Sequence, residues 1–251
     1  MQFFITRPGA CPYLPGRAER KVFTHLDSAT GPGMVDAMTR AGFRRSQNVI
    51  YRPACEACDA CVSARVPARG FVPSRSQRRV LRRNEDVLVT EETAEATAEQ
   101  FALLKRYLAE RHRGGGMNDM NFGDYVAMIE GAWARSRIFE YRLPGEGRAK
   151  GPLIGAALTD LVSDGLSMVY SFFEPGMTRR SFGSYIILHH LRETLARGGS
   201  YVYLGYWVPG SPKMDYKARF RPLQILGSDG WIEQEQDCAK GGAANGQKDV
   251  P

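Results

Sequence analysis

The order of predicted helices and strands in the last two-thirds of this 251-residue chain restricts its fold more than any other feature. Apolar and alternating runs predict strands at 137–143, 153–162, 166–173 and 201–208. Helical periodicity predicts helices at 91–112, 122–134 and 185–196. This order, with the last helix between the third and fourth strands, predicts an α+β fold in which the third strand leads through a loop to a helix N-terminus.

The loop between the third strand and the last helix has the composition of an anion site. It reads R-S-F-G-S-Y at 180–185. Free backbone N–H groups at a helix N-terminus attract anions, so we expect Arg180 and Gly183 to bind phosphate. The loop is similar to the pyrophosphate loop (R/Q-x-x-G-x-G/A) of the GCN5-related N-acetyltransferases, except that Tyr185 replaces a small residue. A coenzyme-A-dependent N-acetyltransferase is therefore one alternative function.

Positive charge is concentrated in the first third of the chain. The net charge of +7 comes from 34 Lys and Arg against 27 Asp and Glu, and residues 1–90 hold 15 of the former and 7 of the latter. In a predicted helix near 74–84, one face carries Arg75, Arg78, Arg79 and Arg82. Guanidinium groups suit phosphate or carboxylate recognition, so this face favours a polyanion partner over a merely solubilising surface.

Four cysteines also fall in the first third: Cys11, Cys55, Cys58 and Cys61. The last three have successive C-x-x-C spacing, which lets thiolates converge on zinc or an iron–sulfur cluster. The alternative is that the thiols are reduced and pack as small hydrophobic groups. A cysteine-cluster protein that binds RNA or senses redox state is a second alternative function.

Composition excludes several classes of protein. A hydrophobic fraction of 43% with 24% charged residues is ordinary for a globular protein and argues against disorder of the whole chain. No run approaches the roughly 20 apolar residues that span a bilayer, and the N-terminal residues lack the pattern of a signal peptide. We therefore expect a cytoplasmic protein with no membrane partner. The polar, Gly/Ala-rich segment 236–251 is expected to be a disordered tail.

Five longer segments together resemble the arginyl-tRNA–protein transferase family, and the resemblance extends over about residues 1–235. The segments are C-P-Y-L-P-G-R at 11–17, Y-R-P-A-C-E-A-C-D-A-C at 51–61, F-V-P-S-R-S-Q-R-R at 71–79, Y-S-F-F-E-P at 170–175 and Y-L-G-Y-W-V-P-G-S-P-K-M-D-Y-K at 203–217. The resemblance implies a smaller cysteine-bearing N-terminal domain, placed at 1–88, and an acetyltransferase-like C-terminal domain, placed at 89–235. Leu14 stands where eukaryotic members have a second early cysteine.

The bacterial branch of that family implies transfer of leucine from leucyl-tRNA to proteins that begin with Asp or Glu, which marks them for N-degron degradation. The donor is an activated ester, so transfer requires no cofactor. Candidate general bases are Asp160 and Glu174. The alternative for Asp160 is a surface acid near a turn, and the alternative for Glu174 is a cap on the phosphate loop.

The remaining candidates bind the two substrates. Arg78, Arg79 and Arg82, with Arg180 and Gly183, are expected to contact tRNA. Aromatic residues on strands are expected to line the aminoacyl pocket or to stack on the terminal adenine, unless they belong to the core; these are Tyr170, Tyr206 and Trp207. Because the acceptor has an acidic side chain, basic residues of the shared segments are expected to bind it: Arg17, Arg78, Lys213 and Lys217.

Overall fold

The structure, a computed structural model, describes residues 1–26, 31–111, 117–131, 135–146 and 150–235. The predicted tail at 236–251 lies outside the described residues. The α-helices are Gly31–Arg40 (α1), Arg75–Arg83 (α2), Ala98–Arg111 (α3), Phe122–Glu130 (α4) and Phe182–Ala196 (α5). The strands are Phe4–Ile5 (β1), Gly9–Ala10 (β2), Ala18–Glu19 (β3), Lys21–His25 (β4), Arg44–Ser46 (β5), Val49–Pro53 (β6), Val62–Pro67 (β7), Leu88–Thr93 (β8), Ser136–Arg142 (β9), Leu153–Val162 (β10), Gly165–Phe173 (β11), Tyr201–Trp207 (β12), Gln224–Gly227 (β13) and Gly230–Glu233 (β14).

One large sheet dominates the fold, with strand order β14-β13-β7-β12-β11-β10-β9-β8. Neighbouring strands are antiparallel except β11 and β12, which are parallel and are connected through α5. Alternate residues of β10 face opposite sides, as the pleat requires. Leu158 packs into a cluster with residues of α3 and α4, whereas Ala157 packs into a cluster with residues of α5. The sheet is therefore covered by helices on both faces.

A second, smaller sheet lies at the N-terminal end, with strand order β1-β4-β6-β5. Its core contains Leu26, Ile50 and, from α1, Val35 and Met38. Helix α1 also contacts the turn between β10 and β11, where the Asp36 carboxylate accepts hydrogen bonds from the Ser163 backbone N–H (2.8 Å) and hydroxyl (2.9 Å). The N-terminal part of the chain therefore contacts the large sheet at its central strands.

A buried ion pair fastens the two sheets together. Arg45 of β5 donates from Nε and Nη2 to the two carboxylate oxygens of Asp160 in β10, at 2.7 and 2.8 Å. Both side chains are 2% exposed, and the Ser136 hydroxyl donates a further hydrogen bond to Asp160 at 2.6 Å. A bidentate pair of this kind satisfies charges that would otherwise be very costly to bury.

The sequence predicted strands β9 to β12 of the large sheet but not the short strands around them. The predicted strands at 137–143, 153–162, 166–173 and 201–208 are confirmed to within about two residues. The segment expected to start a helix at 91–95 is instead the end of β8, and α3 begins at Ala98. The hairpin of β13 and β14 was not predicted, and neither was the small sheet, since both are built from short strands.

Elements that precede residue 88 pack together with elements that follow it. Strand β7, which precedes that point, lies inside the large sheet between β12 and β13. Helix α2 also precedes it, and its Val80 packs into the same cluster as Ile186 and Leu191 of α5. The boundary at residue 88 stays a prediction about domains. Among the described residues, no helix combines the length and the apolar character needed to cross a bilayer.

We predict that Asp160→Asn destabilises the protein by about 3–5 kcal/mol, because it leaves the Arg45 guanidinium buried without a counter-charge. The free energy of unfolding in urea measures the loss. The double variant Arg45→Met/Asp160→Leu should recover most of it, since both charges are then removed. Glu56→Gln is the matched control: Glu56 pairs with Arg20 at the surface with 78% of its side chain exposed, so the cost should stay below about 1 kcal/mol.

Candidate active site

An opening in the large sheet lies where its two parallel strands separate. Strands β11 and β12 pair only over their first residues, from Gly165 with Tyr201 to Ser167 with Tyr203. Beyond that point β12 continues beside β7, with a register shift between Tyr203 and Gly205. The C-terminal ends of parallel strands next to such a break are where α/β sheets bind ligands.

Arg44 of the small sheet occupies the start of this opening. Its guanidinium donates to the Ser167 hydroxyl at 3.2 Å and to the backbone carbonyl of Met168, both on β11. On the other strand it lies against Gly205, where an added Cβ would be 3.0 Å from Arg44 Nε and Nη2. Gly205 has φ +83°, so this position requires glycine both for its backbone conformation and for the space that Arg44 fills.

Lys217 is a second cation at the same place. It belongs to the short 3₁₀ segment Asp215–Arg219, and its Nζ donates to the backbone carbonyl of Tyr206 at 2.6 Å. The residue is only 5% exposed. Burial, followed by the charge of Arg44, lowers the pKa of Lys217 to about 7.

Neither side chain has an acidic partner among the described residues. Within the described ranges, no carboxylate lies within 4.0 Å of a side-chain nitrogen of Arg44 or Lys217. Buried charges are normally paired, because desolvation without compensation is costly. The opening therefore has the electrostatic character of a site for an anionic group.

Two tyrosines, Tyr51 and Tyr206, lie near Arg44, and Trp207 is the next residue of β12. The rings of Tyr51 and Tyr206 have centroids 5.9 Å apart, and the Tyr206 hydroxyl donates to the backbone carbonyls of Gly42 and Tyr51, both at 3.0 Å. Burial raises the pKa of Tyr206, so its hydroxyl stays protonated. Trp207 is half-buried, and its indole Nε1 is buried without a hydrogen-bond partner among the residues that the structure describes. This indole N–H is available to donate to a ligand.

A pocket beside the opening collects the four cysteines. Cys11, Cys55, Cys58 and Cys61 all line it. Its other lining residues include Tyr51 and Tyr206, which also border the opening, and Tyr13, Arg17 and Lys21. The cysteine segment leads directly into β7, the neighbour of β12. The spacing thus brings the thiols to one place, close to the candidate active site.

The four thiols share this pocket but are not grouped as metal ligands in the structure. The Cys11 and Cys55 sulfurs accept hydrogen bonds from the backbone N–H groups of Leu14 and Arg20, both at 3.4 Å. Burial, followed by the nearby thiols of Cys11, Cys55 and Cys58, raises the pKa of Cys61 to about 11, so this thiol is protonated at neutral pH when no metal is bound. In the described part of the chain, no three or more His, Cys, Asp or Glu side chains are grouped to hold a metal ion.

The basic helix and the Arg180 loop form one surface. Helix α2 begins at a capping box of Ser74 and Gln77 and leaves Arg78, Arg79 and Arg82 exposed. At its other end, Arg83 Nη1 donates to the backbone carbonyl of Arg179 at 3.0 Å, and Asn84 Nδ2 donates to that of Arg180, also at 3.0 Å. Two segments that the sequence identified separately as phosphate sites therefore lie side by side.

Three of the sequence candidates are engaged in ion pairs. Asp160 is enclosed with Arg45, and its carboxylate serves a structural ion pair rather than a general base, because both oxygens are already bound. Glu174 lies at the surface and pairs with Arg106 at 3.0 Å. Arg180 is held by the Asp86 carboxylate at 2.6 and 2.9 Å, so its guanidinium is already partly engaged.

The remaining candidates differ in their exposure to solvent. Lys213 and Arg17 are exposed. Gly183 lies in the first turn of α5, where an added Cβ would meet the Phe173 ring at 3.4 Å. Tyr170 is partly buried at the edge of the cluster between the sheet and α3, and burial raises its pKa.

Sequence reasoning missed the residue that defines the site. Arg44 stands in G-F-R-R-S, and nothing in its spacing marks one arginine of the pair for a ligand and the other for the core. The one available signal was the alternation of a strand, which sends Arg44 and Arg45 to opposite faces. That signal was hidden because the strand is three residues long and was not predicted.

Known proteins with similar sequences cover almost the whole chain. Residues 9–79 match the family described as "Arginine-tRNA-protein transferase, N terminus", and residues 99–227 match "Arginine-tRNA-protein transferase, C terminus". The chain is 55% identical to the aspartate/glutamate leucyltransferase of Caulobacter vibrioides, over 92% of this chain and 83% of that one. It is 55% identical to that of Phenylobacterium zucineum (92% and 90% covered) and 53% identical to that of Sinorhizobium medicae (94% and 93% covered).

We predict that Gly205→Ala costs clearly more stability than Gly210→Ala. Both glycines have positive φ (+83° and +76°), so each substitution adds about 1–2 kcal/mol of backbone strain. Only at Gly205 does the new methyl group press against Arg44, since nothing lies within 4 Å of a Cβ at Gly210. Urea unfolding measures both. Adding Arg44→Ala should abolish the excess cost, and equal costs for the two glycines would contradict the packing described.

Proposed function

The chain belongs to the arginine-tRNA-protein transferase family, and we propose that it transfers leucine from leucyl-tRNA to the N-terminal Asp or Glu of acceptor proteins. It is an aminoacyltransferase. The observation that supports this most directly is the identity of 53–55% to relatives named aspartate/glutamate leucyltransferase over more than nine-tenths of the chain. In this family the added residue marks the acceptor for N-degron degradation. We place the reaction in the cytoplasm, where leucyl-tRNA is found.

We further propose a GCN5-related N-acetyltransferase-like arrangement for the C-terminal part of the chain. Support comes from the parallel pair β11 and β12, the crossover through α5, and the separation of the two strands beyond Ser167. In this proposal the leucyl ester and the acceptor amine meet in that opening. The division into domains at 1–88 and 89–235 is retained as a description of the chain, with β7 and α2 packed against the C-terminal part.

The tRNA is proposed to lie along the surface formed by α2 and the Arg180 loop. Arg78, Arg79 and Arg82 are exposed there, and their charge attracts the phosphates of an acceptor arm. The aminoacyl end would then reach the opening beside Tyr170 and Trp207. The aromatic rings offer stacking for the terminal adenine, and the buried Trp207 indole N–H offers a hydrogen-bond donor to the incoming ester.

The acceptor carboxylate is proposed to bind Arg44. Its guanidinium stays charged at neutral pH, lacks an acidic partner among the described residues, and is fixed by hydrogen bonds to Ser167 and Met168. A guanidinium held in this way is pre-organised for a carboxylate of Asp or Glu. Lys213 and Arg17 are exposed nearby candidates for the following part of the acceptor chain.

The reaction requires the enzyme to position the two substrates more than to activate them. An aminoacyl ester is already reactive, so the site must align the amine with the carbonyl carbon, stabilise the oxyanion and remove one proton. No cofactor is required for these tasks. No step is assigned to zinc or an iron–sulfur cluster, because ester aminolysis involves no redox change and the described cysteines are not grouped as metal ligands. A structural metal at the cysteines stays a prediction, which metal analysis of protein purified without oxygen would test.

A coenzyme-A-dependent acetyltransferase is less well supported by the site. Tyr185 replaces the small residue of the pyrophosphate loop, and its ring is 7% exposed and packs on Phe182 at 5.5 Å between centroids. Arg180, the other basic part of that loop, is bound to Asp86. The basic face of α2 would also have no role in binding a single nucleotide.

We predict that the purified protein transfers labelled leucine from leucyl-tRNA to peptides that begin with Asp or Glu, and not to peptides that begin with Arg or Lys. Arginyl-tRNA should give little transfer. Labelled peptide is counted after hydrolysis of the remaining aminoacyl-tRNA. Transfer to basic N-termini, or acetyl transfer from acetyl-coenzyme A without binding of tRNA, would refute the proposed function.

We predict that Arg44→Gln raises the KM for an Asp-initiated peptide about 10- to 100-fold, since a charged hydrogen-bonded contact contributes about 1.5–3 kcal/mol. The preference for Asp over Asn at the N-terminus should shrink by a similar factor. Steady-state kinetics with the two peptides measure both. Arg78→Gln is the matched control, because Arg78 is exposed on α2 and its loss should raise the KM for leucyl-tRNA instead. An unchanged Asp/Asn ratio in a folded Arg44→Gln variant would contradict the assignment.

A further inference from the structure

Lys217 is a lysine enclosed at the opening between β11 and β12, and the reaction has a step that needs such a group. We propose that the Lys217 amine accepts the proton released by the attacking α-amine of the acceptor. This inference rests on the proposed transferase function. It replaces the carboxylate contact that the shared segment implied for Lys217, a contact now proposed for Arg44.

The position of the lysine supports this role. Its Nζ donates to the backbone carbonyl of Tyr206, which lies in the part of β12 that is no longer paired with β11. The carbonyl fixes the nitrogen without adding a charge. A neutral amine needs only one such donor contact, so it can keep its lone pair directed at a substrate proton. An ammonium in the same place would be buried without any ion pair among the described side chains.

Burial and the neighbouring guanidinium favour the neutral form of Lys217, whereas the Tyr206 carbonyl and the Tyr216 ring favour the ammonium. From β5, the Arg44 guanidinium repels a second positive charge. From β12 and β6, Tyr206 and Tyr51 stay protonated because burial raises their pKa values. From the same short helix, the Tyr216 ring lies 6.0 Å from Nζ, and its pKa is raised to about 12. Since the pKa of Lys217 falls to about 7, the amine is protonated below pH 7 and free to act as a base above it.

The step balances as an ester aminolysis. The acceptor nitrogen forms a bond to the leucyl carbonyl carbon, and the carbonyl electrons move to oxygen as the tetrahedral oxyanion forms. Lys217 takes one proton from that nitrogen. The oxyanion then collapses, the bond to the ribose oxygen breaks, and Lys217 returns the proton to that oxygen. The products are the leucyl-peptide amide and tRNA with a free terminal hydroxyl, with no oxidant or reductant involved.

The different roles proposed for Arg44 and Lys217 follow from the chemistry of their side chains. A guanidinium keeps its proton and presents a planar fork, so Arg44 suits the carboxylate. A desolvated lysine readily loses its proton, so Lys217 suits proton transfer. Of the two carboxylates that the sequence pointed to, Asp160 is enclosed by Arg45, whereas Glu174 forms an exposed pair with Arg106 and stays a predicted alternative base.

Single-turnover transfer to an Asp-initiated peptide tests the proposal, with peptide and leucyl-tRNA saturating and the pH varied from 5.5 to 9. For the wild type we expect a rate that rises through an ionisation near pH 7, apart from that of the acceptor amine at about 7.7–8.0. Lys217→Arg keeps a charge but cannot act as a base. It should lower the rate about 10²- to 10⁴-fold and remove the ionisation near pH 7. Affinities for tRNA and peptide should stay within about threefold.

Lys217→Met and Lys150→Met complete the design. Lys217→Met should show the same loss of rate. Lys150→Met is the control: Lys150 is 72% exposed and distant from Lys217 in the sequence, so this variant should keep the pH–rate profile of the wild type. If Lys217 variants do not fold, the ionisation is measured in the wild type by nuclear magnetic resonance of its lysine Nζ groups, where one lysine should titrate near pH 7.

The outcomes separate the two proposals. A Lys217→Arg protein with the wild-type rate, a variant that loses only peptide affinity, or a wild type in which no lysine titrates below pH 9 would each overturn the base role while leaving the transferase intact. Absence of leucyl transfer by the wild type would instead overturn the proposed function and, with it, this inference.

Discussion

The architecture depends on the buried ion pair between Arg45 and Asp160. The small N-terminal sheet has a limited core of its own, so it must be held against the large sheet by specific contacts. A bidentate contact between a guanidinium and a carboxylate, with Ser136 donating to the same carboxylate, fixes β5 at one register beside β10 and β11. Every feature of the candidate site that comes from the N-terminal third is placed by this attachment.

The adjacent arginine shows why that attachment matters for function. In a strand, neighbouring side chains point to opposite faces, so fixing Arg45 in the core sends Arg44 to the opening between β11 and β12. One arginine is neutralised by a carboxylate and contributes to stability. The other has no acidic partner among the described residues and offers its charge to a ligand. Two residues of the same type thus acquire different roles from one strand.

Three groups of side chains each suit a different part of the proposed reaction. The exposed arginines of α2 continue into the Arg180 loop and suit phosphates. The rings of Tyr206 and Trp207 suit a nucleobase or an aminoacyl group, Arg44 suits the acidic side chain of the acceptor, and Lys217 suits the transfer of a proton. The pocket of the four cysteines shares Tyr51 and Tyr206 with the opening.

The sequence by itself determined the central strands, the crossover helix α5, the basic face of α2 and, through long shared segments, the family. These follow from periodicity, charge and residue identity, which are local properties. Only the tertiary structure decided which candidates act together: it enclosed Asp160 in an ion pair, engaged Arg180 with Asp86, and brought Arg44 to Lys217 across 173 positions of chain. Burial and counter-charge depend on neighbours distant in sequence, and they decide whether an ionisable group is structural or functional.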